Sequence, residues 1–206
     1  MSVTDLHWFV IEPDGRGRGR GDVDAVFPWW SFSKTVIALA AYRLAEDGIL
    51  GLDTILPGKP YTLRQLLRHT AGVPNYGAVA DYHEAVARGE PPWSRAELRH
   101  RVPFDALLFP PGTGWAYSNI GYLLAREVIE TAAGAPLAEL AQALLAAPLG
   151  LPSMRLAATE EVFAEAHWAA AAGYHPGWVY HGCFIGSAKD AALLLHHVFA
   201  GRVVER

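Results

Sequence analysis

A serine and a lysine three residues apart, Ser31 and Lys34, have the types and spacing of a nucleophile and its proton acceptor. Seven serines and three lysines in 206 residues give an expected count of roughly 0.1 for Ser-x-x-Lys by chance. On a helix, positions i and i+3 share one face about 5–6 Å apart, and the N-terminal N–H groups point at whatever the serine attacks. An amine desolvated by Trp29, Trp30 and Phe32 would have a lowered pKa and accept the serine proton. The alternative is a Ser N-cap beside an exposed Lys.

A second group with catalytic chemistry is Tyr117-Ser118-Asn119. Eight tyrosines and two asparagines make a Tyr-x-Asn triplet rare, with an expected count below about 0.1. A phenol relays a proton when cations lower its pKa, and an Asn carboxamide hydrogen-bonds both a lysine and a substrate amide. The alternatives are that Tyr117 is a buried aromatic residue with a satisfied hydroxyl and that Asn119 is a helix N-cap.

The chain offers few other reactive groups. His69 and His181 could lie near the same cleft, but no ligand spacing such as His-Glu-x-x-His occurs, so structural or surface roles are favoured over metal binding. Cys183 has no neighbouring cue for an activated thiolate and is predicted to be a small buried residue. The motif Gly-x-Ser-x-Gly is missing from the sequence, which argues against an α/β-hydrolase.

The composition indicates a globular protein, because 51% of the residues are hydrophobic and 18% are charged. A net charge of -4 disfavours a nucleic-acid partner, and the tract Gly15–Gly21 is better interpreted as a flexible hairpin or weak edge strand than as an RNA-binding segment. A single cysteine excludes an internal disulfide and a Cys-based zinc site. The N-terminus has no secretory-signal pattern and no apolar stretch reaches the roughly 20 residues of a bilayer span, so we expect a cytoplasmic protein without a membrane partner.

The elements that would position these groups are mostly helices. Residues Leu6–Ile11 are β-branched and aromatic and precede a Pro-Asp-Gly turn, which predicts a strand entering a hairpin. Helical periodicity and stop signals predict five helices, over Ser33–Asp47, Thr62–His69 (with Thr62 as N-cap), Asn119–Ala133, Pro136–Ala146 (ending before Pro148) and Ala188–Ala200. Between them, Ala71–Trp93 and Val102–Trp115 are predicted to be long functional loops.

Four segments in order resemble the serine β-lactamase-like family, which joins class C β-lactamases, penicillin-binding D-alanyl carboxypeptidases and related esterases. They are Ser31-x-x-Lys34, then Leu44-Ala-Glu-Asp-Gly-Ile-Leu-Gly-Leu-Asp53, then Leu63-Arg-Gln-Leu-Leu-Arg-His-Thr-Ala-Gly72, and Pro111-Gly-x-x-Trp-x-Tyr-Ser-Asn-x-Gly-Tyr122. The resemblance implies an α+β fold, with a mostly helical lobe and part of an antiparallel sheet. It also implies that residues 1–206 form a single, partial domain.

The same resemblance implies roles for the site residues. Ser31 matches the acylated nucleophile and Lys34 the lysine that assists it, while Tyr117 matches the proton acceptor and donor and Asn119 the substrate- and lysine-binding asparagine. The implied reaction is acyl transfer from a small-molecule ester or amide through an acyl-enzyme that water releases. No metal or organic cofactor is implied.

A third motif of this family, Lys-Thr-Gly or His-Ser/Thr-Gly on a C-terminal strand, has no match in this sequence, and its nearest candidate is His181-Gly182-Cys183. The expectation is therefore a C-terminally truncated domain that lacks one oxyanion-hole donor, a loss that costs roughly 10²–10³ in rate. The strand Leu6–Ile11 would keep an open, apolar edge. We therefore expect a homo-oligomer or a complementary chain. The alternative function is a catalytically impaired fragment or binding protein that needs a partner chain.

Overall fold

The structure is a computed structural model that describes residues 6–167 and 173–204. Its N-terminal part is a β-hairpin. Strand β1 (Trp8–Ile11) pairs antiparallel with β2 (Gly17–Arg20), and Gly15 takes the positive φ of 83° that the turn between them requires. The predicted strand is confirmed over its last four residues, and the Arg-Gly tract forms the exposed edge strand. The sequence predicted an open edge for this strand. Among the described residues β1 indeed pairs with β2 alone.

A second sheet brings distant parts of the chain together beside the first long helix. Strand β5 (Phe184–Ser187) is fully buried and lies between β3 (Val26–Pro28) and β4 (Arg155–Leu156), and both pairings are antiparallel. The antiparallel part of the fold is therefore two small sheets in the described residues rather than one.

Helix α1 (Ser33–Glu46) is the centre of the molecule. Its residues Val36, Ile37 and Ala40 are fully buried, and it packs against the helices α5 (Asn119–Ala133) and α6 (Leu137–Ala141). The helix ends where predicted, because Gly48 follows it with a positive φ of 70°.

Three other predicted helices are confirmed with their terminal signals. Thr62 caps α2 (Leu63–Leu67) in a capping box with Gln65, and Gly134 ends α5 at a φ of 65°. Helix α9 (Ala188–Phe199) begins after Ser187, whose side chain accepts from the Asp190 N–H, and packs against β1.

The prediction that a helix ends before Pro148 is wrong. The chain continues from α6 through a π-helical turn, Gln142–Ala146, into the short helix α7 (Ala147–Leu149) and stops at Gly150. A proline inside a regular α-helix collides with the carbonyl four residues before it. The wider π-turn that precedes Pro148 relieves this collision, so the helical path continues for one more turn.

Helices α3 (Ala80–Ala87), α4 (Arg95–Arg101) and α8 (Glu160–Phe163) were not predicted. Helix α3 lies inside the segment that we expected to be a loop. Each of the three buries a single residue, so none carries the apolar stripe on which the prediction depends. In the part of the chain that the structure describes, no single helix is long and apolar enough to cross a bilayer. The two segments Asn119–Ala133 and Leu137–Leu149 reach that length only as a pair bent by 81°.

Candidate active site

Ser31 lies in a tight 3₁₀ turn, Trp30–Phe32, immediately before α1. The turn is anchored to β5, because the Trp29 backbone N–H donates to the Phe184 carbonyl (2.8 Å) and the Trp29 indole N–H donates to the Gly186 carbonyl (3.0 Å). Trp30 has a φ of 42°, a left-handed conformation that costs a non-glycine residue about 1–3 kcal/mol. The anchored turn therefore holds strain next to an exposed serine hydroxyl.

The hydroxyls of Ser31 and Tyr117 are in contact, with 2.7 Å between Oγ and Oη. Tyr117 is 37% exposed, and its ring packs against the ring of His69 with 4.7 Å between the two centroids. The loop is fixed at two further points, since the Ala116 N–H donates to the His69 carbonyl and the Ser118 N–H donates to His69 Nδ1. Tyr117 is thus not the buried aromatic residue of the alternative, although its hydroxyl does have a hydrogen-bond partner.

Lys34 is buried, with 5% of its surface exposed. Its Nζ lies 3.0 Å from His181 Nε2, 4.9 Å from the ring centroid of Tyr117 and 5.6 Å from that of Tyr122. Burial lowers the pKa of the amine from 10.5 to about 7. The alternative of an exposed lysine beside a serine cap is therefore wrong.

The aromatic groups around Lys34 differ from those expected. The two rings that face its amine belong to Tyr117 and Tyr122. Trp30 instead packs edge-on against Phe163 and Tyr174. The sequence neighbours of the serine were expected to desolvate the lysine, but the turn before α1 directs the Trp30 side chain to another part of the core.

Both histidines near the lysine are held neutral around pH 7. Burial, and then the Lys34 charge, lowers the pKa of His69 to about 4. Burial lowers the pKa of His181 well below its ordinary value, with smaller contributions from the charges of Lys34, Arg126 and His69. Because His69 Nδ1 accepts a hydrogen bond from Ser118, its proton is on Nε2.

Asn119 is the one predicted site residue that is not part of the lining of the cleft described below. It is half-buried at the first position of α5, and its backbone N–H donates to Asn75 Oδ1 at 3.1 Å. The N-cap is Ser118, whose hydroxyl accepts from the Gly121 N–H, so the alternative of Asn119 as the cap is wrong.

The three other predicted site residues share one open cleft of about 440 Å³. Among the described residues its lining is Ser31, Lys34, Thr35, Ala38, Leu39, Tyr42, His69, Tyr117, Tyr122 and Val204. The cleft holds the hydroxyl, the amine and the phenol together with apolar side chains of α1, those of Ala38 and Leu39. Such a cleft admits a small acyl group beside a serine hydroxyl.

The described residues hold no group of three or more His, Cys, Asp or Glu side chains that could bind a metal ion. Cys183 is 1% exposed, and burial raises the pKa of its thiol to about 11. The thiol is therefore an unreactive small buried group, as the sequence predicted.

A comparison of the sequence with models of protein families shows to which family the chain belongs. The Beta-lactamase family matches residues 7–204. This chain belongs to that family. An alignment of 146 residues is 34% identical to Penicillin-binding protein 4* of Bacillus subtilis (strain 168) and covers 65% of this chain and 31% of that protein. Another, of 148 residues, is 34% identical to Esterase EstB of Burkholderia gladioli and covers 62% of this chain and 38% of the esterase.

A solved structure confirms the α+β fold. The crystal structure of D-amino acid amidase from Ochrobactrum anthropi SV3 aligns with a TM-score of 0.81 and 21% identity, covering 97% of this chain and 67% of the amidase. The chain spans about a third of the length of the curated relatives named above.

The nearest candidate for a third motif, His181-Gly182-Cys183, is a turn before β5 and not a strand at the edge of the cleft. The Gly182 N–H donates to the Val179 carbonyl, and Gly182 has a φ of 102°. His181 was predicted to lie near the cleft and to begin the nearest third-motif candidate, but its direct contact with Lys34 was not predicted. The strained backbone of Trp30 was also missed, because it depends on anchoring to residues more than 150 positions away.

Proposed function

We propose that this chain is a serine hydrolase that forms an acyl-enzyme on an ester or amide. The observation that carries the proposal is the 2.7 Å contact between Ser31 Oγ and Tyr117 Oη, in the same cleft as a buried Lys34 amine with a pKa of about 7. An amine that is half neutral at pH 7 accepts a proton without needing an alkaline medium. The names of the relatives, a penicillin-binding protein, an esterase and an amidase, support this reaction class.

In the proposed reaction Ser31 Oγ bonds to the carbonyl carbon of the substrate, and its proton passes to the pair formed by Tyr117 and Lys34. Collapse of the tetrahedral intermediate breaks the bond to the alcohol or amine, which takes the proton from that pair as it leaves. Water then bonds to the acyl carbon and gives a proton to the same pair, and the second tetrahedral intermediate releases the acid by breaking its bond to Ser31 Oγ, which takes that proton back.

Lys34 and Tyr117 have distinct tasks in this proposal. The phenol touches the nucleophile directly, so it is the first group that the serine proton meets. The amine lies behind the ring of the phenol and is almost closed to solvent, so it supplies the basic group that makes the transfer favourable. Asn119, at the start of α5 and two residues from Tyr117, is proposed to bind the substrate on the strength of the sequence motif alone.

We also propose that the apolar part of the cleft is covered by a strand from a second copy or a complementary chain. Thr35, Ala38 and Tyr42 of α1 are half-buried there, and the resemblance to the family implies that a C-terminal strand supplies one oxyanion-hole donor. No observation favours the alternative of a catalytically impaired binding protein.

The proposal is tested by intact-mass analysis after exposure to a fluorophosphonate. In this reaction the serine oxygen bonds to phosphorus, and fluoride and the serine proton are released as HF. The folded wild-type chain is expected to gain one phosphonyl group, Ser31→Ala none, and Lys34→Ala only a small fraction in the same time. A folded wild type that gains no mass, or a Ser31→Ala variant that gains as much, contradicts the proposed nucleophile.

A further inference from the structure

His181 makes a contact that the proposed reaction does not use. Its imidazole is 3% exposed, and its Nε2 lies 3.0 Å from the Nζ of Lys34. Its other nitrogen, Nδ1, is buried and has no hydrogen-bond partner among the described residues. A buried polar atom without a partner is uncommon, and it restricts which tautomer the ring can adopt.

The backbone holds this imidazole firmly against α1. The Gly182 N–H donates to the Val179 carbonyl at 2.7 Å, and the Phe184 N–H donates to the Ser33 hydroxyl at 2.9 Å. Ser33 is itself buried and starts α1, one residue before the lysine. The distance between the imidazole and the amine is therefore set by two anchored segments and not by a mobile loop.

The two charge states of Lys34 require different tautomers of the histidine. A charged ammonium has only donors, so Nε2 would have to accept, and the ring proton would lie on Nδ1, where a buried N–H has no partner. A neutral amine has a lone pair that accepts from Nε2–H. In this tautomer Nδ1 carries no proton and is a buried acceptor without a partner. An orphaned buried donor costs free energy comparable to a lost hydrogen bond, so the second arrangement is favoured.

The other groups that face this pair act on the charge of the amine in both directions. The ring faces of Tyr117 and Tyr122 favour the ammonium, whereas burial of the amine disfavours it and His69 is a neutral imidazole. Arg126 adds a positive charge on the side of His181, although it is paired with Glu130. A negative charge on Cys183 would also favour the ammonium, but burial raises the pKa of this thiol to about 11, so it is protonated near pH 7.

We propose that His181 is a positioning residue for Lys34, and that its Nε2–H donates to the lysine Nζ and thereby favours the neutral amine. This inference deepens the proposed function and rests on it, because the neutral amine is the form that takes the serine proton once its lone pair is released from the His181 N–H. The predicted role is specific to the imidazole in this position, since an acceptor oxygen in its place would favour the ammonium instead.

The test is a titration of Lys34 by NMR in the protein labelled with ¹³C at lysine Cε. The chain has three lysines, and Lys34→Met assigns the signal of Lys34. In the wild type we expect a midpoint near the pKa of about 7. In His181→Gln the side-chain amide turns its oxygen to the amine, and we expect the midpoint to rise by about one pH unit or more. His100→Gln, the same change at an exposed position on α4, should leave it unchanged.

An unchanged or lower midpoint in folded His181→Gln overturns the inference. If that variant does not fold, imidazole ¹⁵N shifts of the wild type decide: Nε2–H above pH 7 supports the inference, and Nδ1–H overturns it. Neither measurement requires turnover, so failure of the proposed function is seen separately, as a lack of acylation. Where acylation is observed, the midpoint of its pH profile should move with the NMR midpoint in His181→Gln and not in His100→Gln.

Discussion

Replacing Lys34 with methionine keeps the length of the side chain and removes its charge, and it should stabilise the protein near neutral pH. The pKa of the amine is 10.5 in its ordinary state and about 7 in the fold, because burial disfavours the ammonium. Between these two values the unfolded chain binds more protons at this position than the folded chain does. The free energy of unfolding of the wild type therefore rises with pH across this interval.

The size of the effect follows from the displacement of the pKa. Each pH unit between the two values changes the free energy of unfolding by about 1.4 kcal/mol, so the full penalty at low pH is about 5 kcal/mol. From pH 7 to pH 9 the wild type should gain about 2 kcal/mol relative to Lys34→Met. Measurements between pH 7 and pH 9 avoid acid pH. There His69 and His181 take up protons on unfolding, which would also lower the free energy of unfolding.

The measurement is urea unfolding at pH 7, 8 and 9 for the wild type, Lys34→Met and Lys189→Met. The last variant removes a partly exposed lysine that pairs with Asp24, and we expect it to change the free energy of unfolding by less than about 1 kcal/mol. Lys34→Met is expected to be the most stable of the three at pH 7, and its advantage over the wild type should shrink as the pH rises.

Parallel pH dependences of the wild type and Lys34→Met would refute this reasoning. They would mean that the folded lysine titrates like an unfolded one, so that the amine is charged at neutral pH and cannot accept the serine proton. A methionine variant that is less stable than the wild type at pH 7 would show that the contacts of the amine outweigh its desolvation.

Three further predictions concern the site and its surroundings. Tyr117→Phe removes the oxygen bonded to Ser31, and the rate of fluorophosphonate labelling should fall by about 10²-fold or more with the melting temperature little changed; an unaffected rate would exclude the phenol from proton transfer. Asp190→Ala removes a buried carboxylate that accepts from the backbone N–H and hydroxyl of Ser153, and urea unfolding should show a loss of about 2–3 kcal/mol; a smaller loss than 1 kcal/mol would argue against these bonds. Light scattering of the 206-residue chain should give a mass above the 22.4 kDa of a monomer, and a stable monomer would contradict the proposed covering strand.

Helices could be predicted from the sequence where an apolar stripe ends at a glycine. Helix α1 buries residues at helical spacing along its length, α5 is buried mainly over its first half, and the two helices stop at Gly48 and Gly134 as the terminal signals indicate. Helix α3 buries only Ala85, and its remaining residues carry no pattern that separates a helix from a polar loop. The helical path through Pro148 could not be foreseen either, because a π-turn has no sequence signal.

The candidate site could be predicted in part. The spacing of Ser31 and Lys34 and the tyrosine motif led to the cleft in which all three side chains meet. The contact between Lys34 and His181 joins residues 147 positions apart, and no local pattern indicates it. The same holds for the aromatic surroundings of the amine, which come from α5 and the loop before it rather than from the neighbours of the serine.

The most direct test of the central claim is to locate the acyl group. The wild type is mixed with p-nitrophenyl acetate, quenched within the burst of nitrophenol release, digested and mapped by mass spectrometry. We predict one acetyl group, on Ser31, which disappears with time as water releases it and is missing in Ser31→Ala. Nitrophenol release with the acetyl group on another residue, or with none on Ser31, would contradict the account.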